Sequence, residues 1–530
     1  MRFGTTKVDA QRRFDLRKPT TIHRWLNSST TTPQMHPIKH AIFSLLFLVL
    51  CPIIHAVYST QFIRFKAEAD LSHIVISKPN VVFILADDLG YGDLGCYGNT
   101  ILNTPNLDRL AAEGLILNQH YSASPLCAPA RAGLLTGRYN HRTGAISVES
   151  NRGLDRIALE ETTIADDFNQ AGYVTAMIGK WHNGLYDMRY HPIARGFDHF
   201  LGFLNGGMYY YNWILDRDGY SERSDKRYLT DMFTDEAVGF ISVNRQDPFL
   251  LYLSYNSPHS PLEAPQELVE KYMQMGKLNK GVATLYAMIE SMDAGIGKVL
   301  DSLKETGQAY NTIVVFTSDN GPLLGNYSSD DGKYNMDRYN GSLRGMKQDV
   351  LEGGIRVPCL VRWPKGFKGG KTLNPVGHFI DWRPTLIDAA GIKSASTLPL
   401  DGRSLLSSFR TGQDDHVRSL FWQFNRYDPE VHCNSAVRNG PWKLYYPRIP
   451  EAMIKLKSDG PPYRELFDRP HFEMEISNPP VERTLSDARA PELYNIEEDP
   501  SETNNLADQY PELVSELKSQ LENWFEDVME

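Results

Sequence analysis

From residue 78 onward the chain alternates between short unbroken apolar runs and longer stretches with helical spacing. Asn80-Val81-Val82-Phe83-Ile84-Leu85-Ala86 is a continuous β-rich run, the pattern of a strand covered on both faces. Residues 173–178, 249–255 and 312–317 read in the same way. Thr104 as N-cap, with Pro105 at the first helical position, opens a helix, and 283–306 carries a long amphipathic pattern. This alternation predicts an α/β fold: a large mixed, mainly parallel sheet sandwiched by helices over residues 78–416. The texture changes near residue 417. Residues 419–424 and 442–446 read as strands, 447–490 as an irregular excursion rich in Pro and charge, and Pro511–Met529 as a terminal helix. A smaller α+β subdomain with a small antiparallel sheet is therefore expected over 417–530.

The N-terminus is patterned differently. An apolar core, His40–Leu50, follows Lys39 and precedes Pro52, with cleavage expected after Ala56 or Ser59. The run is short for a membrane span and suits a signal peptide, so the protein is read as exported, periplasmic, secreted or lysosomal according to host; an uncleaved anchor is the alternative. Residues 1–56 are read as N-terminal extension and signal peptide, with Met35 as an alternative start, and 57–77 as linker.

Charge sharpens this division. Of the formal −10, residues 1–56 carry +6, leaving −16 for the rest. An acidic body is a poor general binder of nucleic acid, so an anionic substrate would need local positive groups. Five cysteines in 530 residues exclude a disulfide-stapled fold.

The chemistry collects at strand ends. The first strand runs into Asp87-Asp88, the second into Gly179-Lys180-Trp181-His182, the third to Pro258-His259 and the fourth into Asp319-Asn320. Parallel strands bring all four to the carboxyl edge of one sheet, where open α/β sheets bind ligands. Asp87, Asp88, Asp319 and Asn320 offer three carboxylates and an amide oxygen, a set that suits Ca²⁺, with Mg²⁺ second, rather than zinc; such pairs also cap turns. Beyond the N-terminal extension, neither a His-x-x-x-His nor a paired-cysteine motif supports a zinc site. Arg131, Lys180 and Lys347 could hold the oxygens of a tetrahedral anion. His182 and His259 are the acid–base candidates, because imidazole titrates near neutrality.

Cys127-Ala128-Pro129-Ala130-Arg131, continuing to Arg138, resembles the signature of the formylglycine-dependent (type I) sulfatases of the alkaline phosphatase superfamily. Further blocks resemble that arylsulfatase-like family in the expected order: Asp87–Asp93, Gly179–His182, Arg195–Asp198, Pro258–Pro261, Ser318–Gly321, Leu343–Lys347, Arg438–Leu444 and Glu492–Asn495 with Asp499-Pro500. The likeness covers about residues 78–510 and makes 78–416 the catalytic sulfatase domain.

The resemblance implies a sulfuric ester hydrolase. A formylglycine-generating enzyme, as maturation partner, would oxidise Cys127 to an aldehyde, and its hydrate would attack the sulfate ester. Asp87, Asp88, Asp319 and Asn320 would hold Ca²⁺ together with the modified Cys127. Arg131 would steady the hydrate, and Lys180 and Lys347 would bind sulfate. His259 with Lys347 would protonate the leaving alcohol, and His182 would restore the aldehyde by expelling sulfate. A hydrate has a second hydroxyl for that expulsion, which a serine lacks.

Three positions depart from the family pattern: Ala130, where Ser is frequent and conversion efficiency is expected to differ; Asn183 in place of Leu; and Met346 in place of Gly. The last two are read as shaping the substrate pocket. The aromatic cluster Gly206-Gly207-Met208-Tyr209-Tyr210-Tyr211-Asn212-Trp213 is read as part of a carbohydrate subsite, with Trp213 stacking on a sugar, against ordinary packing as the alternative. The substrate is thus a sulfated small molecule or glycan, with a carbohydrate favoured. Two rivals stand beside this reading: a phosphomonoester or phosphodiester hydrolase of the same superfamily, and a non-catalytic binder of sulfated glycans. Asn27, Asn326 and Asn340 fit the N-glycosylation pattern.

Overall fold

Successive residues of the Asn80–Ala86 strand enter two different cores. Val82, Ile84 and Ala86 pack into one apolar cluster, and Val81, Phe83 and Leu85 into another. The Phe249–Ser254 and Thr312–Ser318 strands divide in the same way, Leu251 and Val314 to the first cluster, Leu250 and Val315 to the second. Strands with side chains buried on both faces must be apolar at every position, which is why the sequence shows unbroken runs here. The computed structural model describes residues 78–150, 152–185, 187–324, 338–413, 417–456 and 481–530. The expected signal peptide and linker, Cys51, Asn27 and Asn326 lie outside them.

The main sheet has ten strands. At its centre Thr312–Ser318, Asn80–Ala86, Phe249–Ser254, Val174–Lys180 and His199–Phe203 run side by side and parallel. Shorter flanking strands include antiparallel pairs, Cys359–Arg362 beside Thr312–Ser318 and Ile214–Arg217 beside His199–Phe203. The sheet is therefore mixed and mainly parallel, as expected. Lys280–Glu305 forms the long helix, buried along most of its length on one face of the sheet. Thr104 sits at the N-cap of Pro105–Glu113, but its hydroxyl accepts from Gly95 N at 3.0 Å instead of capping that helix.

The C-terminal sheet has four antiparallel strands in the order Ser419–Gln423, Ser435–Asn439, Trp442–Tyr446, Glu492–Asn495. Leu517, Leu521, Trp524 and Val528 of the Pro511–Met529 helix pack on Val437, Leu444 and Leu493, and the same cluster takes in Tyr139 and Ile380 of the larger part. A buried ionic knot adds to this junction. Lys443 Nζ lies 3.0 Å from Glu352 and 2.9 Å from Glu502. No helix among the described residues is long and apolar enough to cross a membrane.

Candidate active site

The central strands end together, and the polar residues that follow them converge. Asp87 and Asp88 leave Asn80–Ala86, while Asp319 and Asn320 leave the neighbouring Thr312–Ser318 strand. Asp88 N donates to Asp319 Oδ1 at 3.1 Å, and Asn320 Nδ2 donates to Asp88 Oδ1 at 2.8 Å. Asp88 and His182 both adopt left-handed backbone, at φ 63° and 61°, a strained conformation that clusters at functional sites. All four residues of the acidic cluster are fully buried.

Burial and the neighbouring Asp319 push the Asp87 carboxyl well up, against the pull of Lys180 and Arg131. Ligand atoms of Asp87, Cys127 and Asp319 lie within 4.8 Å of one another, as do those of Asp87, Asp88 and His259. Asp87 Oδ1 and Asn320 Oδ1 are buried and, among the described residues, accept no hydrogen bond. Buried oxygens of this kind are costly unless something positive meets them. The donor set therefore fits a hard divalent cation.

Cys127 is the first residue of the Cys127–Thr136 helix, every residue of which is buried. Burial raises the thiol, but Lys180, Lys347 and His182 overcome that and bring it down to about 6. Arg131 stands one turn further on. Its guanidinium donates to Asp319 Oδ2 at 2.7 and 3.0 Å, to Ser254 Oγ at 2.5 Å and to the Lys180 carbonyl at 3.0 Å. It thus ties the cysteine helix to three strand ends.

Lys180 closes the Val174–Lys180 strand, with Nζ 2.7 Å from Asp87 Oδ2. The preceding Gly179 has φ 111°, and a Cβ there would fall 1.8 Å from the Ser254 carbonyl, so only glycine lets the strands close up at this point. Lys347 Nζ lies 2.7 Å from Asp88 Oδ1, and burial is outweighed by Asp88 and Cys127, which raise it well above the usual range. His259 Nδ1 lies 2.8 Å from the Ser260 carbonyl, which leaves Nε2 toward Asp88 at 3.7 Å. Burial and then Lys347 hold His259 down to about 3. All ten candidate residues are accordingly brought into one site.

Sequence reasoning missed several residues here. Glu149 Oε2 lies 2.7 Å from His182 Nε2, and against burial His182 drives it down to about 2. Burial lowers His182, but Cys127 and Glu149 more than reverse this and raise it to about 9. A Cβ at Gly206 would come within 3.0 Å of the His182 ring, so the backbone itself confines the imidazole. Burial followed by Glu149 raises Asp155 to about 7. No motif marked these residues, because they come from loops without periodicity.

Three expectations need correcting. Trp213 is 1% exposed, packs in the core and donates Nε1 to the Arg227 carbonyl, so its face meets protein rather than sugar. Tyr209, 47% exposed, is the open ring of that stretch. Asn183 does not line a pocket: it is fully buried and its amide bridges the carbonyls of Ala128 and Asp155, bracing the first turn of the cysteine helix. Asn340 is buried, so its glycosylation motif is closed to modification.

A parallel sheet presenting a buried acid–lysine–histidine cluster beside a helix-initial cysteine defines a hydrolase of anionic esters. Comparison with known proteins narrows this. Residues 79–392 match the family model described as Sulfatase, and residues 346–479 match that described as N-sulphoglucosamine sulphohydrolase, C-terminal. Mouse arylsulfatase J is 32% identical, over 84% of this chain and 75% of its own. Mouse N-acetylgalactosamine-6-sulfatase is 33% identical, over 63% of this chain and 67% of its own. The solved structure of Ps i-CgsB with k-i-k-neocarrahexaose is 30% identical with TM-score 0.68, over 84% of this chain and 93% of that one. The chain belongs to the sulfatase family and is a sulfatase.

Proposed function

We propose that the protein removes sulfate from a sulfated carbohydrate, using formylglycine made from Cys127 by a formylglycine-generating enzyme and a calcium ion held by Asp87, Asp88, Asp319 and Asn320. The observation that carries this reading is the position of Cys127. Its sulfur shares a 4.8 Å cluster with Asp87 and Asp319 and is ringed by Lys180, Lys347 and His182. A hydrated aldehyde at that place supplies both the nucleophile and a second hydroxyl that releases the product. The cation lowers the cost of gathering three carboxylates and the substrate's negative charge in one dry site.

The remaining roles fall to the chain's own groups. Lys180 and Lys347 bind sulfate oxygens through Nζ and offset charge as the ester breaks. Lys347 holds a proton on Nζ, and His259 Nε2 opens on the same space, so the leaving alcohol is protonated in that corner. Once Cys127 is an aldehyde hydrate, His182 would no longer face the thiolate that contributes most to its raised pKa, and the ring would take a proton from the nucleophile's second hydroxyl, with Glu149 orienting it and stabilising its charged form. Arg131 keeps the Asp319 carboxylate aimed at the cluster and stands beside Cys127. The carbohydrate class is supported by the printed substrates of relatives such as N-acetylgalactosamine-6-sulfatase. Export is supported by the apolar run ahead of residue 57.

Turnover of paired aryl sulfate and aryl phosphate substrates, before and after chelation, tests the reading. Sulfate is expected to be preferred, activity to vanish on chelation, and Ca²⁺ to restore it better than Mg²⁺ or Zn²⁺. A preference for phosphate, or full activity in chelator, would overturn it.

A further inference from the structure

The C-terminal subdomain supplies a second wall beside Cys127. The Ser419–Gln423 strand leads into Phe424, which packs on Leu126 and Cys127. Two residues later Arg426 comes close enough to Cys127 and Glu149 to feel both charges, although burial is the larger effect and pulls the guanidinium down. Its carbon lies 5.4 Å from the centre of the Phe424 ring. Its backbone N donates to the Ala452 carbonyl at 3.0 Å, and Arg483 Nη1 donates to the same oxygen at 2.9 Å. The segment that carries Arg426 is therefore pinned.

Among the described residues the Arg426 side chain has no carboxylate partner of the kind that Arg131, Arg338 and Arg448 have. Arg131 rests on Asp319, Arg338 on Asp93, and Arg448 lies 2.6 Å from Asp349. Arg426 Nε and Nη1 are buried and, among the described residues, donate to nothing. Nearby Glu149 is already engaged by His182. Two guanidinium donors withdrawn from water without an acceptor are costly, and a planar donor fork in that state is suited to a carboxylate or sulfate.

The cleaved sulfate already has Lys180 and Lys347, on the side of the aspartates. We propose that Arg426 binds a second anionic group of the substrate, a carboxylate or a further sulfate carried close to the ester that reaches Cys127, so that the enzyme selects polyanionic sugars. This rests on the sulfatase reading and adds the charge of the substrate to it.

The test is competition against aryl sulfate hydrolysis by three disaccharides: one monosulfated, one carrying an additional sulfate, and one carrying a uronic acid besides its sulfate. In the wild-type enzyme a doubly charged disaccharide is expected to bind about tenfold to a hundredfold more tightly than the monosulfated one, the range of a charge-assisted hydrogen bond. Which one gains tells carboxylate from sulfate. Arg426→Ala and Arg426→Gln should bring that ratio close to one, and Arg426→Lys should keep part of it. A wild-type enzyme without the preference, or a preference unchanged in both Arg426→Ala and Arg426→Gln, overturns the inference while leaving the sulfatase reading intact. A wild-type enzyme inactive on aryl sulfate removes the reading beneath it.

Discussion

His182 Nε2 meets Glu149 Oε2 at 2.7 Å, and this pairing leaves Nδ1 as the ring nitrogen available to Cys127. A histidine with two usable nitrogens is a reliable base only when one of them is fixed, and here Glu149 does the fixing. Glu149→Gln keeps the shape of the contact and removes its charge. It should lower kcat on an aryl sulfate about tenfold or more, less than the ~10²–10⁴ expected for loss of the base itself, with KM nearly unchanged. Steady-state kinetics of Glu149→Gln beside His182→Ala checks the order. Equal kcat for Glu149→Gln and wild type would show that the pair is only structural.

Trp213→Ala should weaken the fold, not the selectivity. The side chain is a core group, so its truncation is expected to cost about 3–5 kcal/mol. Activity per folded molecule should fall by the same factor on a sugar sulfate and on an aryl sulfate. Denaturant unfolding together with kinetics on both substrates reads the two effects apart; a loss confined to the sugar would restore a stacking role.

The buried junction between the two parts should make stability depend on pH. Burial is the main cause that raises Glu502 from the ordinary value to about 7, with Lys443 opposing and Glu352 adding to it. Folding thus binds a proton here that the unfolded chain releases near the ordinary carboxylate value. The resulting stability is fully present below about pH 4.5 and declines as the pH rises to about 7, with a slope of at most ~1.4 kcal/mol per pH unit. Asp155, also raised to about 7 mainly by burial, acts over a similar window. Glu502→Gln should therefore flatten the decline without abolishing it. Urea unfolding between pH 4.5 and 8 measures the slope, and an unchanged slope in Glu502→Gln would contradict the assignment.

How far the sequence could be read follows from how each feature is encoded. The central strands were legible because burial on both faces demands contiguous apolar residues, and Asp87, Asp88, Lys180, Asp319 and Asn320 were legible because each follows such a run. Cys127 was marked by its own motif. Glu149 was not legible: it meets a histidine 33 positions away from within a loop that has no period. Arg426 approaches Cys127 from the far end of the chain, which no local pattern records. Trp213 misled because an aromatic cluster has the same sequence whether its rings face solvent or core. Asn183 misled because substitution in a motif signals a change without saying whether it faces substrate or a helix.

The central claim is that Cys127 is the precursor of the working nucleophile. It is tested most directly by the mass of the peptide containing Cys127, from protein made in its native host and active on an aryl sulfate. The account predicts a mass about 18 Da below that of the cysteine peptide, with the same peptide captured by an aldehyde-specific label. Active enzyme in which that peptide carries an unmodified thiol throughout would contradict it.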